Sequence, residues 1–230
     1  MTKSKYQDLE PDLIFFGGSF DPPHLGHVEF LKIIQNRFKN SEIVIVPSYA
    51  PVASATKEKP ASSEFSDRLA MCVIAFDKCE RVQVSAIEES LDIPNYTIDT
   101  LMELRSEYPL SKLAWAIGAD QLNVFADWKE PTKILELASL VVLPRPHQVQ
   151  KDLLEEALGL ASRLGFTASI DAAEGVILLH GAGAVFVLPE APRTVSSTDA
   201  REKIKSDPSA AKELLSPEVL EYVSELNLYQ

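Results

Sequence analysis

The chain is predicted to be an α/β protein: a doubly wound parallel sheet with helices on both faces and a small helical part at its C-terminal end. Three observations predict it. Short β-rich apolar runs alternate with stretches of helical period, the order that parallel strands with helical crossovers require. The first apolar run ends in Gly17-Gly18, a sharp strand-to-loop turn of the kind found at the carboxyl edge of such a sheet. The 230 residues, 46% hydrophobic and 24% charged, are enough for one sizeable core with a small appended part. The expected architecture is Rossmann-like.

The elements follow in order. Residues 13–16, Leu-Ile-Phe-Phe, form an apolar run that predicts a buried strand, and a helical pattern then runs over 25–38. Residues 43–46 read as the second strand, 64–77 as a helix, 82–87 as the third strand and 97–107 as a helix. The fourth strand is expected at 113–117, with Trp115 in the core, then a helix at 131–138 and a fifth strand at 140–143. Residues 51–63, rich in Ala, Ser, Lys and Pro and without period, predict a flexible loop over the site. Residues 147–192 exceed what a simple fold of this kind needs. They hold an amphipathic helix at 151–164 and a hairpin of 176–179 with 184–188 around Gly181-Ala182-Gly183. The region 197–230 is helical, with helices at 198–205 and from Ser216-Pro217-Glu218 to 228, the latter with Pro at its first position. The first ten residues read as a frayed leader, and no internal repeat is present.

The loop after the first strand carries the chemistry. Residues 17–27 read Gly-Gly-Ser-Phe-Asp-Pro-Pro-His-Leu-Gly-His, and two of the chain's four histidines sit in it. Three residues apart at a helix start, His24 and His27 share a face near amides that have no intrahelical partner. Exposed backbone donors, a positive helix end and two imidazoles suit a polyphosphate. Gly17, Gly18, Ser19 and Phe20 would bring the backbone close to it. The loop lacks the Gly-Lys-Ser/Thr ending of a Walker A loop and the Gly-x-Gly-x-x-Gly of a dinucleotide fingerprint.

Ser196, Ser197, Thr198 and Arg201 open a later helix. They could hold phosphate oxygens, or form only an N-cap with a surface arginine. Gly118 and Asp120 follow the fourth strand, where Asp120 could accept from ribose hydroxyls or cap a short helix. Tyr96, Thr97 and Trp128 are candidates for a flat-ring pocket, with an aromatic face, a helix start and a hydroxyl. Ser48 is a weaker candidate at the end of the second strand.

Composition narrows the partners. A net charge of −12 argues against a nucleic-acid surface. Cys72 and Cys79, seven apart along a helical pattern, would hold their Cα atoms about 10 Å apart. That is too far for a disulfide and fits a reducing compartment. The polar first residues lack a secretory core segment, and no apolar run nears the length of a membrane span. A cytoplasmic protein without membrane contact is expected, its oligomeric state open and a homo-oligomer among the options.

The chain resembles the His-x-Gly-His nucleotidyltransferases, and within them the bacterial nicotinate-nucleotide adenylyltransferases. The resemblance runs from Leu13 to Tyr229. Besides the opening loop it rests on Val46-Pro47-Ser48, Asp67-Arg68-Leu69-Ala70-Met71, Tyr96-Thr97-Ile98-Asp99-Thr100-Leu101, Gly118-Ala119-Asp120-Gln121-Leu122, Trp128, Val141-Val142-Leu143-Pro144-Arg145-Pro146 and Ser196-Ser197-Thr198 with Arg201. It implies one nucleotidyltransferase domain over residues 1–230 with ATP and nicotinate mononucleotide as substrates. Attack of the mononucleotide phosphate on the α-phosphorus would give deamido-NAD and pyrophosphate, without a protein nucleophile or general base. His27 would serve the α-phosphate and His24 its neighbours. Ser197, Thr198 and Arg201 would hold the leaving pyrophosphate, with His24, His27 and Arg201 the catalytic set. Mg²⁺ would travel with ATP, since no carboxylate cluster forms a metal cage.

The chain departs from the family pattern in two places. Val195 and Ala200 stand where isoleucines are usual, and Ala50-Pro51-Val52-Ala53-Ser54 replaces a Pro-Pro-His-Lys-like run, leaving Lys57 or Lys59 to supply the phosphate contacts. The alternatives are another transferase of the superfamily such as the phosphopantetheine enzyme, a class I aminoacyl-tRNA synthetase fragment, and a regulatory module without turnover. The first needs no aromatic pocket at Tyr96 and Trp128. The second needs a Lys-rich loop and a basic RNA surface that the chain lacks. The third is disfavoured by the presence of both histidines and Arg201.

Overall fold

The computed structural model describes residues 6–50 and 62–230. The expected loop at 51–63, with Lys57 and Lys59, lies almost wholly outside the described residues.

Eight strands form one sheet in the order β3-β2-β1-β4-β5-β8-β7-β6. The strands are β1 (Leu13–Gly18), β2 (Glu42–Pro47), β3 (Val82–Val84), β4 (Leu113–Gly118), β5 (Ser139–Leu143), β6 (Ala168–Asp171), β7 (Val176–Leu179) and β8 (Ala184–Val187). Pairing is parallel from β3 through β8 and antiparallel across β8-β7-β6. The chain builds β1, β2 and β3 outward in one direction, then crosses back to lay β4 on the other side of β1. That reversal opens a crevice beyond the carboxyl ends of β1 and β4, where ligands bind in such sheets.

The central strands are buried on both faces. One face carries Phe15, Trp115 and Val142 against α3 (Thr97–Glu107), α5 (Pro131–Leu137) and α6 (Gln150–Arg163). The other carries Ile14, Phe16 and Val141 against α1 (Leu25–Arg37) and α2 (Phe65–Phe76). Strands covered on both sides need continuous apolar sequence, which the short runs supply. A short helix, α4 (Ala119–Leu122), follows β4. At the C-terminal end α7 (Ser197–Ser206), α8 (Pro208–Ala211) and α9 (Pro217–Glu225) enclose a small core with Met71 of α2. Ser216 caps α9 by accepting from the Val219 amide, with Pro217 at the first helical position.

The structure corrects several expectations. The third strand ends at Val84. After Ser85 the chain turns into a 3₁₀ turn at Ile87–Ser90, with the Ile87 amide donating to the Ser85 hydroxyl. Residues 6–10 are not frayed: Tyr6 is buried and donates to Asp171 at 2.9 Å, and Glu10 pairs with Arg37 at 2.7 Å. The region 147–192 extends the sheet. Its hairpin pairs with β5 through β8, and it adds an unexpected edge strand, β6. Helix α2 ends at Phe76, so Cys79 lies in the turn beyond it; both thiols are free, and burial pushes each up from its ordinary pKa. No helix among the described residues is long and apolar enough to cross a membrane.

Candidate active site

The crevice floor is built by two close approaches. A Cβ on Gly17 would overlap the Trp115 ring, which packs across from β4. A Cβ on Gly118 would come within 2.6 Å of the Asp120 carboxylate. Position 17 therefore requires glycine where the backbone meets the crevice, because the buried ring cannot give way, whereas at Gly118 the obstacle is the end of an exposed side chain that can turn aside. Phe20 turns the loop with φ of 46°, and its buried ring packs edge-on against Phe16 and Phe76. Of Phe20, then, the backbone and not the ring is available to a ligand.

His24 is the N-cap of α1 and His27 its third residue. The His27 amide donates to His24 Nδ1 at 3.3 Å, and the His24 amide donates to His27 Nδ1 at 3.1 Å. The rings stack with centroids 3.6 Å apart. This is a capping box built from two imidazoles, and it corrects the expectation of spare helix-start amides. The histidines themselves consume two of the amides, and a third, that of Leu25, donates to the Leu214 carbonyl at 2.8 Å. With Nδ1 accepting, each neutral ring carries its proton on Nε2. Burial pushes the pKa of His24 down to about 4, aided by the nearby Arg145 and opposed by its main-chain contact and Asp199. It is neutral at pH 7.

The Ser-Ser-Thr-Arg segment closes on the same loop. Ser196 is the N-cap of α7, its hydroxyl accepting from the Asp199 amide at 3.0 Å. Ser197 donates to the Pro22 carbonyl at 2.9 Å. Arg201 donates to the Asp21 carbonyl at 2.6 Å and to the Thr198 hydroxyl at 3.2 Å. The Asp21 carboxylate is buried and accepts from the Ser62 amide at 2.6 Å, the Ser63 hydroxyl at 2.7 Å and the Tyr229 hydroxyl at 2.9 Å, with Arg201 at 3.6 Å. Burial alone would raise its pKa. These donors outweigh burial and hold it below its ordinary value.

On the other side of β1, the Ser48 amide donates to the Gly18 carbonyl at 2.8 Å. The Tyr49 amide donates to Glu88 and the Ala50 amide to Asn95, both at 3.0 Å, and Thr100 donates to the same buried Glu88 at 3.0 Å. Burial raises the Glu88 pKa against these donors. Tyr96 precedes α3 without giving it a side-chain cap, and Thr97 is its first residue. Lys129 lies 4.6 Å from the Tyr96 ring centroid and pairs with Asp99 at 3.0 Å. The adjacent Trp128 packs its half-buried ring 5.0 Å from Phe125. Trp115 is core, as expected.

Asp120 lies in the first turn of α4, and Gly118 is the N-cap residue, so the capping alternative for Asp120 does not hold. Instead Arg145, beyond β5, places Nη2 at 2.6 Å and Nε at 2.9 Å from one Asp120 oxygen. Arg145, Asp21, Tyr229, Glu88 and Arg68 are the contributors that the sequence reading assigns no role. A usable signal exists for Arg68, a charge on the apolar stripe of α2. Among the described residues no group of three or more His, Cys, Asp or Glu side chains is gathered as for a metal. Two surface concavities lie elsewhere, one by Leu122 and Arg163, the other by Lys112 and Leu179.

A family model described as cytidylyltransferase-like matches residues 15–203. A probable nicotinate-nucleotide adenylyltransferase of Pseudoalteromonas atlantica is 31% identical over 225 residues, covering 97% of this chain and 97% of its own. One from Acidithiobacillus ferrooxidans is 31% identical over 229 residues, covering 98% and 99%. A nicotinic acid mononucleotide adenylyltransferase of Plasmodium falciparum, solved in complex with NaAD, superposes with a TM-score of 0.70 over 94% of this chain and 96% of that one. At 18% identity that likeness is one of fold.

Proposed function

The chain belongs to the cytidylyltransferase-like family and, within it, to the nicotinate-nucleotide adenylyltransferases, and from that premise we propose how its residues perform the reaction. The enzyme transfers the adenylyl group of ATP to nicotinate mononucleotide, a step of NAD biosynthesis. A phosphate oxygen of the mononucleotide forms a bond to the α-phosphorus, the bond from that phosphorus to the bridging oxygen breaks, and pyrophosphate leaves with the electron pair. The attacking phosphate is already an anion at neutral pH, so no base is required. Catalysis rests on holding the two phosphates in line and on donors aimed at the transferring group, effects worth about 7–11 kcal/mol and about 3–4 kcal/mol per donor respectively.

The observation that carries this assignment is the stacked histidine pair. With each Nδ1 committed to a main-chain amide, Nε2–H is the donor that each neutral ring has for a phosphate oxygen. Our reading gives the α-phosphate to His27 and the neighbouring phosphates to His24. Neutral donors do this without a proton changing hands. The main chain at Gly17, Gly18, Ser19 and Phe20 borders ATP, with Gly118 and Asp120 toward the nucleoside. Arg201 keeps further N–H groups beyond those given to Asp21 and Thr198, and with Ser196, Ser197 and Thr198 these would receive the departing pyrophosphate. Mg²⁺ enters as part of the ATP substrate, whose phosphate oxygens are suitable hard ligands.

The acceptor would lie over Ser48, Tyr96, Thr97 and Trp128, with Asp120 between the two substrates. The uncapped start of α3 supports a carboxylate there, and the Trp128 ring supports the pyridine. We count residues 1–230 as one nucleotidyltransferase domain, a reading supported by the continuation of the sheet through β8, β7 and β6. The test is pyrophosphate release from ATP with nicotinate mononucleotide, nicotinamide mononucleotide or phosphopantetheine as acceptor. Release with nicotinate mononucleotide well above the other two is expected, and release with phosphopantetheine alone would reassign the enzyme within the superfamily.

A further inference from the structure

Arg68 is 1% exposed, on the face of α2 that packs under the crevice. Besides the Phe65 ring, 5.6 Å away, its hydrogen-bond partners among the described residues are three main-chain carbonyls, two on other loops and one just before its own helix. Nη1 donates to Ser19 at 2.8 Å, Nη2 to Tyr49 at 3.3 Å and Nε to Ser63 at 3.4 Å. Ser19 belongs to the loop assigned to ATP. Tyr49 follows Ser48 on the side assigned to the mononucleotide. Ser63 donates to Asp21, which carries the Arg201 contact. One rigid guanidinium thus joins both halves of the crevice. A lysine could reach one of these carbonyls but could not span all three.

We propose that Arg68 is a positioning residue that couples the donor and acceptor halves of the active site, so that ATP seated against the Ser19 loop sets the geometry in which the mononucleotide is held at Tyr49. The proposal rests on the assignment of the two halves to ATP and the mononucleotide. In-line transfer tolerates little misplacement, about 1 Å costing about a hundredfold in rate, so two loops that moved independently would bind both substrates and turn over poorly. Coupling through a shared side chain makes binding at one half favour binding at the other, and reciprocally.

The experiment is calorimetric titration of nicotinate mononucleotide with and without saturating α,β-methylene-ATP, in the wild type and in Arg68→Lys. In the wild type the analogue should tighten mononucleotide binding about fivefold or more. In the variant the ratio should fall to about one, with affinity for the analogue alone changed by less than about threefold and kcat lowered about ten- to a hundredfold. A variant that keeps the wild-type ratio, or a wild type whose ratio is already one, overturns the proposal. A second measurement needs no variant and no acceptor. α,β-Methylene-ATP alone should slow amide exchange at Tyr49 and Ala50 in the wild type, and unchanged exchange there overturns the proposal even if Arg68→Lys does not fold. Wild-type pyrophosphate release, measured alongside, separates failure of the assigned reaction from failure of the coupling.

Discussion

The Tyr229 hydroxyl donates to the Asp21 carboxylate at 2.9 Å, joining residues 208 apart in sequence. Through it the segment after α9 reaches the loop that carries both histidines. Asp21 is a buried anion whose charge is held by four partners, so each one lost is felt. Tyr229→Phe keeps the ring and removes the donor. It should cost about 1–3 kcal/mol, a fall in Tm of about 2–4 °C per kcal/mol in a chain of this size. The sign with pH follows from the lowered Asp21 pKa. The contribution is present above the ordinary carboxylate value and lost as pH falls through the folded one. The Tm difference between variant and wild type should therefore be full at pH 7 and shrink in acid below the ordinary carboxylate range, which thermal melts across pH would check.

His24 gives the same sign with pH for a different reason, since here burial disfavours the charged form. Its folded pKa, pushed down to about 4 by burial, lies below the unfolded value near 6.5. Between those values the unfolded chain binds a proton that the folded one refuses, so stability rises with pH across that window and falls as acid is added. A shift of this size corresponds to about 3 kcal/mol. Protonation would also place a hydrogen on Nδ1, where the His27 amide now donates. His24→Gln should flatten the stability curve between about pH 4 and 6.5 by close to one proton, as measured by chemical denaturation at each pH.

Two glycine substitutions should move in opposite directions. Gly17→Ala drives a Cβ into the buried Trp115 ring and should cost about 1–3 kcal/mol or more. Gly159→Ala, at an exposed position of helix α6 with no heavy atom within 4 Å of the added Cβ, should gain about 0.5–1 kcal/mol. Denaturant midpoints for the pair test the packing of the crevice floor against an internal control.

The legible parts of this fold are the local ones. Runs of four apolar residues predict the central strands because those strands are buried on both faces. The His-x-x-His spacing predicts a shared helix face because a capping box is an i, i+3 relationship. What escapes is non-local or short. Strand β6 has four residues and an exposed Ile170 at the sheet edge, too little pattern to register. Asp120 looks like a cap because its partner Arg145 is 25 residues away. Arg68 is legible in part: within an apolar helix, a charge three residues after Phe65 and three before Met71 falls on the buried stripe, but its carbonyl partners Ser19 and Tyr49 belong to other loops. The Ser-Ser-Thr-Arg segment is legible as a helix start, but its grip on Asp21 and Pro22 depends on a loop about 175 residues earlier.

The central claim is that His27 accelerates adenylyl transfer as a neutral, preorganised donor to the α-phosphate, without forming a bond to substrate. The most direct measurement is single-turnover formation of deamido-NAD from ATP and nicotinate mononucleotide by wild type and His27→Ala, with the ATP dissociation constant of each. A fall in rate of about two or more orders of magnitude, with ATP affinity changed by only a fewfold, is the predicted result. Near-normal turnover in His27→Ala, or a loss confined to ATP affinity, would contradict it.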